Sequence, residues 1–343
     1  MGDLTGYSGI CTKIRAMERW RLSESQLKRL EESTAVSEAV EYLKTFPPYR
    51  KVLEGAGEEL HRGQIEERLK QTLYLDFASL YRFSNLKQRH FLDLYFMHYE
   101  IQILKTCLRN GAGRQEEKQE LSGFLEFFNR HSAIDLEALS HCTSIGEFIR
   151  CLKGTPYYEA LTELERTGRA AIPACETAMD MVYFRTMWKV KDKYLSKEER
   201  EIITQCFGTR MDMLNLQWIV RAKKYYRLKE GAVYELLIPA SLHLKKKELQ
   251  EMAGAEDVGQ VFEIIRRSWY RKAGLGQVND SRQLERLARE ITNRVYERTW
   301  QREPYSIAAL NSCLYFKEQE AGRIVTAIER IRYGMKNSQY SEE

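Results

Sequence analysis

The chain repeats itself three times. The segment 22–49 shifted by 109 residues falls on 131–158, and shifted by 222 it falls on 244–271, with no gap in any copy. Apolar columns then align: Leu27, Leu136 and Leu249; Leu30, Leu139 and Met252; Val36, Ile145 and Val258; Val40, Ile149 and Phe262; Leu43, Leu152 and Ile265. Glu38, Glu147 and Gln260 form a polar column. Tyr49 meets Tyr158, and Tyr270 falls one residue off the same register. Such a repeat restricts the fold to an array of like units, because every unit has the same face to bury. Three copies spaced near 110 residues fill the 343 almost completely, and each is long enough for a small core of its own.

Each copy reads as helix. Leu27 and Leu30, with their equivalents, sit at i, i+3 on a short helix. Polar breaks follow at Glu32-Ser33-Thr34, Cys142-Thr143-Ser144 and Ala255-Glu256-Asp257, where Ser, Thr and Asp are suitable N-caps. Ser144 and Glu147 have capping-box spacing. Val36, Val40 and Leu43 recur at i, i+4, i+7, one face of a second helix. That helix meets Pro47-Pro48 in the first copy and Pro156 in the second, while the third lacks the proline and is free to run on. Long helices are expected over about 62–84, 172–194 and 281–302, each followed by a final helix. Six prolines, few Val/Ile/Thr runs and abundant Leu, Glu, Lys, Arg and Ala agree with an all-α chain.

Composition excludes several classes. The 54 basic and 49 acidic residues are finely mixed, unlike the concentrated basic blocks of most nucleic-acid binders. The seven cysteines are odd in number with no Cys-x-x-Cys, which argues against a disulfide framework or zinc site and for a reducing compartment. The longest stretch without Asp, Glu, Lys or Arg, Pro304–Phe316, is short of the roughly 20 residues a spanning helix needs. No signal peptide is visible, and Gly6 stands where a myristoylation start wants Ser or Thr. There is no P-loop. Gly111-x-Gly113 and Gly274-x-Gly276 follow helix-like sequence rather than strands. The six histidines show no metal-ligand spacing with a carboxylate, so no metal or cofactor is expected.

Each final helix carries an acid within an apolar stretch: Glu100, Asp212 and Glu320, spaced by 112 and 108. One acid per unit is the wrong arrangement for an acid and base acting on one bond. The expected role is structural, accepting hydrogen bonds from backbone or Tyr/Arg groups between packed helices, with Asn215 in the same polar stripe. Arg109 and Arg221 follow nine residues after their acids and Arg330 ten after Glu320, an order that suits the helix dipole. Basic clusters stand at Arg221 with Lys223 and Lys224, at Lys245-Lys246-Lys247, and at Arg266-Arg267 with Arg271-Lys272. They are candidate contacts to an acidic protein surface.

These pieces resemble the C subunit of V/A-type rotary ATPases, whose counterpart in the eukaryotic vacuolar enzyme is the d subunit. The resemblance rests on Tyr7 with Ile14-Arg15-Ala16-Met17; on Val36 to Leu43 with Thr45 and Tyr49; and on Leu152, Thr155 and Tyr158. It rests further on Asp212-Met213-Leu214-Asn215-Leu216 ending at Arg221, on Leu236-Leu237-Ile238-Pro239, and on Tyr315-Phe316-Lys317-Glu318-x-Glu320 with Gly334 beyond. Ala240-Ser241 departs from the family's glycine pair, and Trp269-Tyr270 stands where Thr is expected. The resemblance implies three tandem helical domains, 1–114, 115–229 and 230–335, with a polar tail at 336–343. They would form a funnel with pseudo-threefold symmetry and no catalytic site. It also implies a place on the cytoplasmic face of the membrane proteolipid ring, held there by protein partners, with the base of the central shaft seated in the cavity. Torque would pass through it during ion transport. The reading from another class is a free-standing helical-repeat module that binds protein or RNA.

Overall fold

The computed structural model describes residues 4–54, 62–111 and 125–334, and every regular element among them is helical. The opening helix α1 (Leu4–Glu18) buries Tyr7, Ile10, Cys11, Ile14 and Met17 on one face. The first copy then runs through α2 (Glu24–Glu31), α3 (Val36–Lys44), α4 (Pro47–Leu53), α5 (Arg62–Phe83) and α6 (Leu86–Gly111). The second runs through α7 (Leu125–His131), α8 (Leu136–Ser140), α9 (Ile145–Cys151), α10 (Tyr158–Arg166), α11 (Ile172–Tyr194) and α12 (Lys197–Lys224). The third has α13 (Glu230–Glu235), α14 (Lys246–Gly254) and α15 (Val258–Arg267), two single 3-10 turns at Trp269–Arg271 and Leu275–Gln277, then α16 (Ser281–Arg302) and α17 (Ile307–Arg332). Gly113 of the Gly111-x-Gly113 pair and the tail 336–343 lie outside the described residues.

Local chemistry sets the helix starts. Ser23 with Gln26 and Ser196 with Glu199 form reciprocal capping boxes at α2 and α12. Asp257 and Asp280 cap α15 and α16, and prolines occupy the first turns of α4 and α11, where no N–H is missed. The third copy's second helix does not run on. Ser268 leaves helical geometry at φ −66°, ψ 172°, and its Oγ accepts from Tyr270 N–H, which stops α15 without a proline.

The described residues divide into two compact units, one holding 93–101 with 152–308, the other holding 4–92, 102–151 and 309 onward. In the first unit, the second half of α12 (Met213, Leu216, Ile219, Val220) packs with the third copy's short helices through Leu249, Met252, Val261, Phe262 and Ile265. In the other, α17 supplies Ile324, Ala327 and Ile328 to a core made with Leu27, Leu30, Val40, Leu43 and Leu53 of the first copy. A final helix thus completes the core of short helices belonging to a different copy. The apolar columns of the repeat line these cores, with Leu30, Leu43, Met252 and Ile265 fully buried.

Candidate functional site: carboxylate latches and a basic aromatic patch

The polar column has a local task in every copy. The Glu38 carboxylate accepts from the Thr34 N–H and hydroxyl at 2.7 and 3.1 Å, and Glu147 does the same for Thr143 at 2.8 and 2.9 Å. The Gln260 side-chain oxygen accepts from Glu256 N–H at 3.1 Å. All three close the turn that joins two short helices and satisfy donors the helix start leaves open. Glu147 N–H bonds Ser144 Oγ, but the Glu147 carboxylate bonds the residue before that cap.

The acids on the final helices each reach a different copy. Glu100, on α6, accepts from the hydroxyl of Tyr157 at 2.5 Å. Asp212, on α12, accepts from Leu242 N–H at 3.1 Å, His243 N–H at 2.8 Å, Leu244 N–H at 3.3 Å and the Tyr270 hydroxyl at 2.8 Å. Glu320, on α17, accepts from Leu22 N–H at 2.5 Å and from the Tyr49 hydroxyl. Leu22 and Leu244 are repeat equivalents, as the 222-residue shift requires. The second copy's tyrosine is Tyr157, fully buried, and not its neighbour Tyr158, so the register slips by one residue there as it does at Tyr270. Burial pushes all three phenols well above their ordinary range, and the carboxylates they face push further. Asp212 itself is raised by burial against the pull of its four donors. Asn215, also fully buried, bonds Ile238 twice, its Oδ1 accepting at 2.8 Å and its Nδ2 donating at 3.2 Å. Arg109 is exposed, and Arg221 is exposed with Glu285 at 2.8 Å.

The Glu320 latch carries extra charge. Lys317 Nζ lies 3.4 Å from Asp76 and 3.7 Å from Glu320, and Glu18 pairs with Arg21 at 3.1 Å. Oε2 of Glu320 and Oε1 of Glu18 are buried and accept no hydrogen bond from the described residues. Burial raises Glu18, Asp76 and Glu320. Burial works against the charge of Lys317, but Asp76 and Glu320 together outweigh it, and the amine is raised as well.

Two of the three basic clusters come together. The His243 imidazole stacks on the Trp269 indole at 3.4 Å between ring centroids and 11° between planes. The stack joins the segment that carries Lys245, Lys246 and Lys247 to the segment that carries Arg267, Arg271 and Lys272, and all six side chains are exposed. Arg266 is half-buried and donates to the Val278 carbonyl at 3.2 Å. The remaining cluster is tied to α16: Lys224 Nζ donates to Ser281 Oγ at 2.8 Å and Arg221 pairs there, with Lys223 half-buried between them. Among the described residues, no group of three or more His, Cys, Asp and Glu is placed to hold a metal, no helix is long and apolar enough to cross a membrane, and none of the seven cysteines forms a disulfide.

The fold and these constellations define a class, a helical repeat scaffold whose regularly spaced acids end in structural hydrogen bonds. The family model described as ATP synthase (C/AC39) subunit matches residues 10–343, and the chain belongs to that family. The family is that of a structural subunit of the ATP synthase rather than its catalytic one. The C subunit of the A-type ATP synthase of Methanosphaera stadtmanae is 24% identical over 75% of this chain and 65% of its own length. That of Methanococcoides burtonii is 23% identical over 73% and 68%, and that of Methanothermobacter thermautotrophicus 21% identical over 93% and 82%. The chain therefore spans just under two thirds of the first of these relatives.

Proposed function

We propose that this chain is the non-catalytic central-rotor subunit of a V/A-type rotary ATPase, joining the central shaft to the cytoplasmic face of the membrane proteolipid ring so that torque passes between ATP chemistry and ion flow. Three domains, 1–114, 115–229 and 230–335, would form a funnel with pseudo-threefold symmetry. The observation that carries the reading is the order of the latches. The first copy's acid holds the second copy's tyrosine, the second copy's acid holds the third copy's, and the third copy's acid holds the first copy's. A linear array leaves its last acid without such a partner, whereas a closed set of three leaves none. A funnel of this kind would seat a shaft and transmit torque without a bound cofactor, and tethering of shaft and ring in one complex would let each contact be modest. On this reading the protein sits peripherally on the membrane, held by protein partners, with no nucleic-acid ligand.

The test is affinity capture of the tagged full chain from gently solubilised native membranes. Co-recovery of the proteolipid ring, shaft subunits and the nucleotide-binding hexamer is the expected result. Their absence, from membranes shown to hold an intact rotary ATPase, would sink it. If the chain instead recovered RNA with a steep salt dependence, the free-standing binding module would take its place.

A further inference from the structure

What all three copies share serves the architecture; what a single copy carries is free for something else. The basic aromatic patch belongs to the third copy alone. At the positions of Lys245, Lys246 and Lys247 the first copy has Ser23, Glu24 and Ser25, and the second has Ser132, Ala133 and Ile134. At the position of Trp269 both have proline, Pro47 and Pro156. Over 243–251 and 263–272 seven Lys and Arg face three carboxylates, a surplus of four in a chain whose whole surplus is five. Among the described residues, Lys245, Lys246, Arg267, Arg271 and Lys272 form no ion pair, and Lys247 makes only a loose one to Glu251 at 3.9 Å. In the same unit Arg169 pairs with Glu235 and Arg286 with Glu290.

The patch is also held rigidly. His243 N–H and the Tyr270 hydroxyl both end on the Asp212 carboxylate, so the two stacked rings stand on residues fixed by one buried acid. Trp269 is 55% exposed, a large aromatic left open on a segment that also carries Arg267, Arg271 and Lys272. Rigid exposed Trp with peripheral charge is the pattern of an interface anchor, where the indole supplies affinity and the rim supplies rate and orientation.

We propose that the face formed by His243, Trp269, Lys245, Lys246, Arg271 and Lys272 docks one acidic segment of the shaft, and so fixes which of the three copies faces which side of that shaft. This rests on the rotor reading above. A key present once in three copies suits a partner that presents one acidic segment, not a ring that presents many identical ones. A bilayer is disfavoured because one indole, covered on one side by His243, offers too little apolar area to insert, and the neighbours Leu275 and Val278 are buried.

The experiment is equilibrium binding of the full chain to the purified shaft of its own ATPase over a salt series. The variants are K246E/K272E, W269A, and K51E/K153E as a charge-matched control at exposed positions of the other two copies. Unchanged thermal melting would show that each is folded. K246E/K272E should weaken binding at least tenfold at low salt and flatten the salt dependence. W269A should weaken it several-fold with the salt slope kept, and K51E/K153E should bind as wild type does. Wild-type binding that none of these variants moves, or that the control moves equally, would overturn the docking proposal and leave the rotor reading standing. Failure of the wild type itself to bind shaft would overturn both. Vesicles of anionic phospholipid that bind the wild type and lose K246E/K272E, with shaft binding unmoved, would assign the patch to a lipid surface and overturn it as well.

Discussion

At the scale of single residues, the acids on the final helices are the informative positions, and Asp212 most of all. Its two oxygens collect three backbone N–H groups and one phenol from segments 30 to 58 residues away. Replacing Tyr270 with Phe removes one donor and leaves three, so the expected cost is about 1 kcal/mol. Asp212→Ala strands all four donors in a dry site and should cost roughly 3 kcal/mol or more. Chemical denaturation of the two variants measures both, and equal losses would refute this division of labour. That these acids sit at matching places in apolar helices, one per unit, is legible in the sequence. Their partners are not, because a hydrogen bond spanning 57 or 58 residues leaves no local pattern. A signal is present all the same: Glu100 to Tyr157 and Asp212 to Tyr270 have nearly the same separation. A gapless alignment picks out Tyr158 because the turn of the second copy has changed length by one residue.

At the scale of helices and turns, the repeat makes the long helices legible to within a residue or two, because their apolar spacing is regular over six turns. The short helices α4 and α10 follow prolines that read as breaks, and there proline starts a helix as readily as it ends one. The end of α15 at Ser268 is illegible because a serine in extended geometry does the work done by proline in the other copies. Gly208, in the middle of α12, is explained only by packing. A Cβ there would lie 2.8 Å from the Leu242 Cβ, while Phe96 and Phe316 stand at the matching places of the other final helices. Glycine costs a helix interior up to about 1 kcal/mol, so its presence reflects the close approach of the 242–244 turn that Asp212 binds. Gly208→Ala should therefore destabilise by about 1–3 kcal/mol despite its better helix propensity. Stabilisation in thermal unfolding would show that the turn gives way freely.

At the scale of the whole molecule, the three latches are alike in pattern and unlike in charge. Only the Glu320 latch gathers Glu18, Asp76, Arg21 and Lys317 around it. The three carboxyl groups are raised in the folded chain, so the folded state holds their protons more tightly than the unfolded one. Their contribution is fully present below the ordinary carboxylate range and is lost as pH rises through the raised values. Lys317, also raised, keeps its contribution up to its ordinary range near 10.5 and loses it above. All four groups thus favour the folded state on the acid side. Glu320→Gln keeps an acceptor for Leu22 and Tyr49 but removes one titration, and should flatten the fall of the calorimetric melting temperature as pH rises above the ordinary carboxylate range. An identical pH slope in the variant would remove Glu320 from the account. The fold class and the repeated unit can be read from the sequence. The extra charge at one latch cannot, since Asp76, Glu18 and Lys317 meet only after folding.

The bond from Leu22 to Glu320 spans 298 residues, and α17 finishes the core of the first copy. For a chain made from its amino end, this reverses the usual order of completion. The first copy leaves the ribosome with Leu27, Leu30, Val40 and Leu43 lacking the helix that covers them, and it must wait until that helix, some 298 residues downstream, has been made. The first copy is therefore finished only once α17 is made, and the interval is one in which a nascent-chain chaperone has an apolar surface to hold.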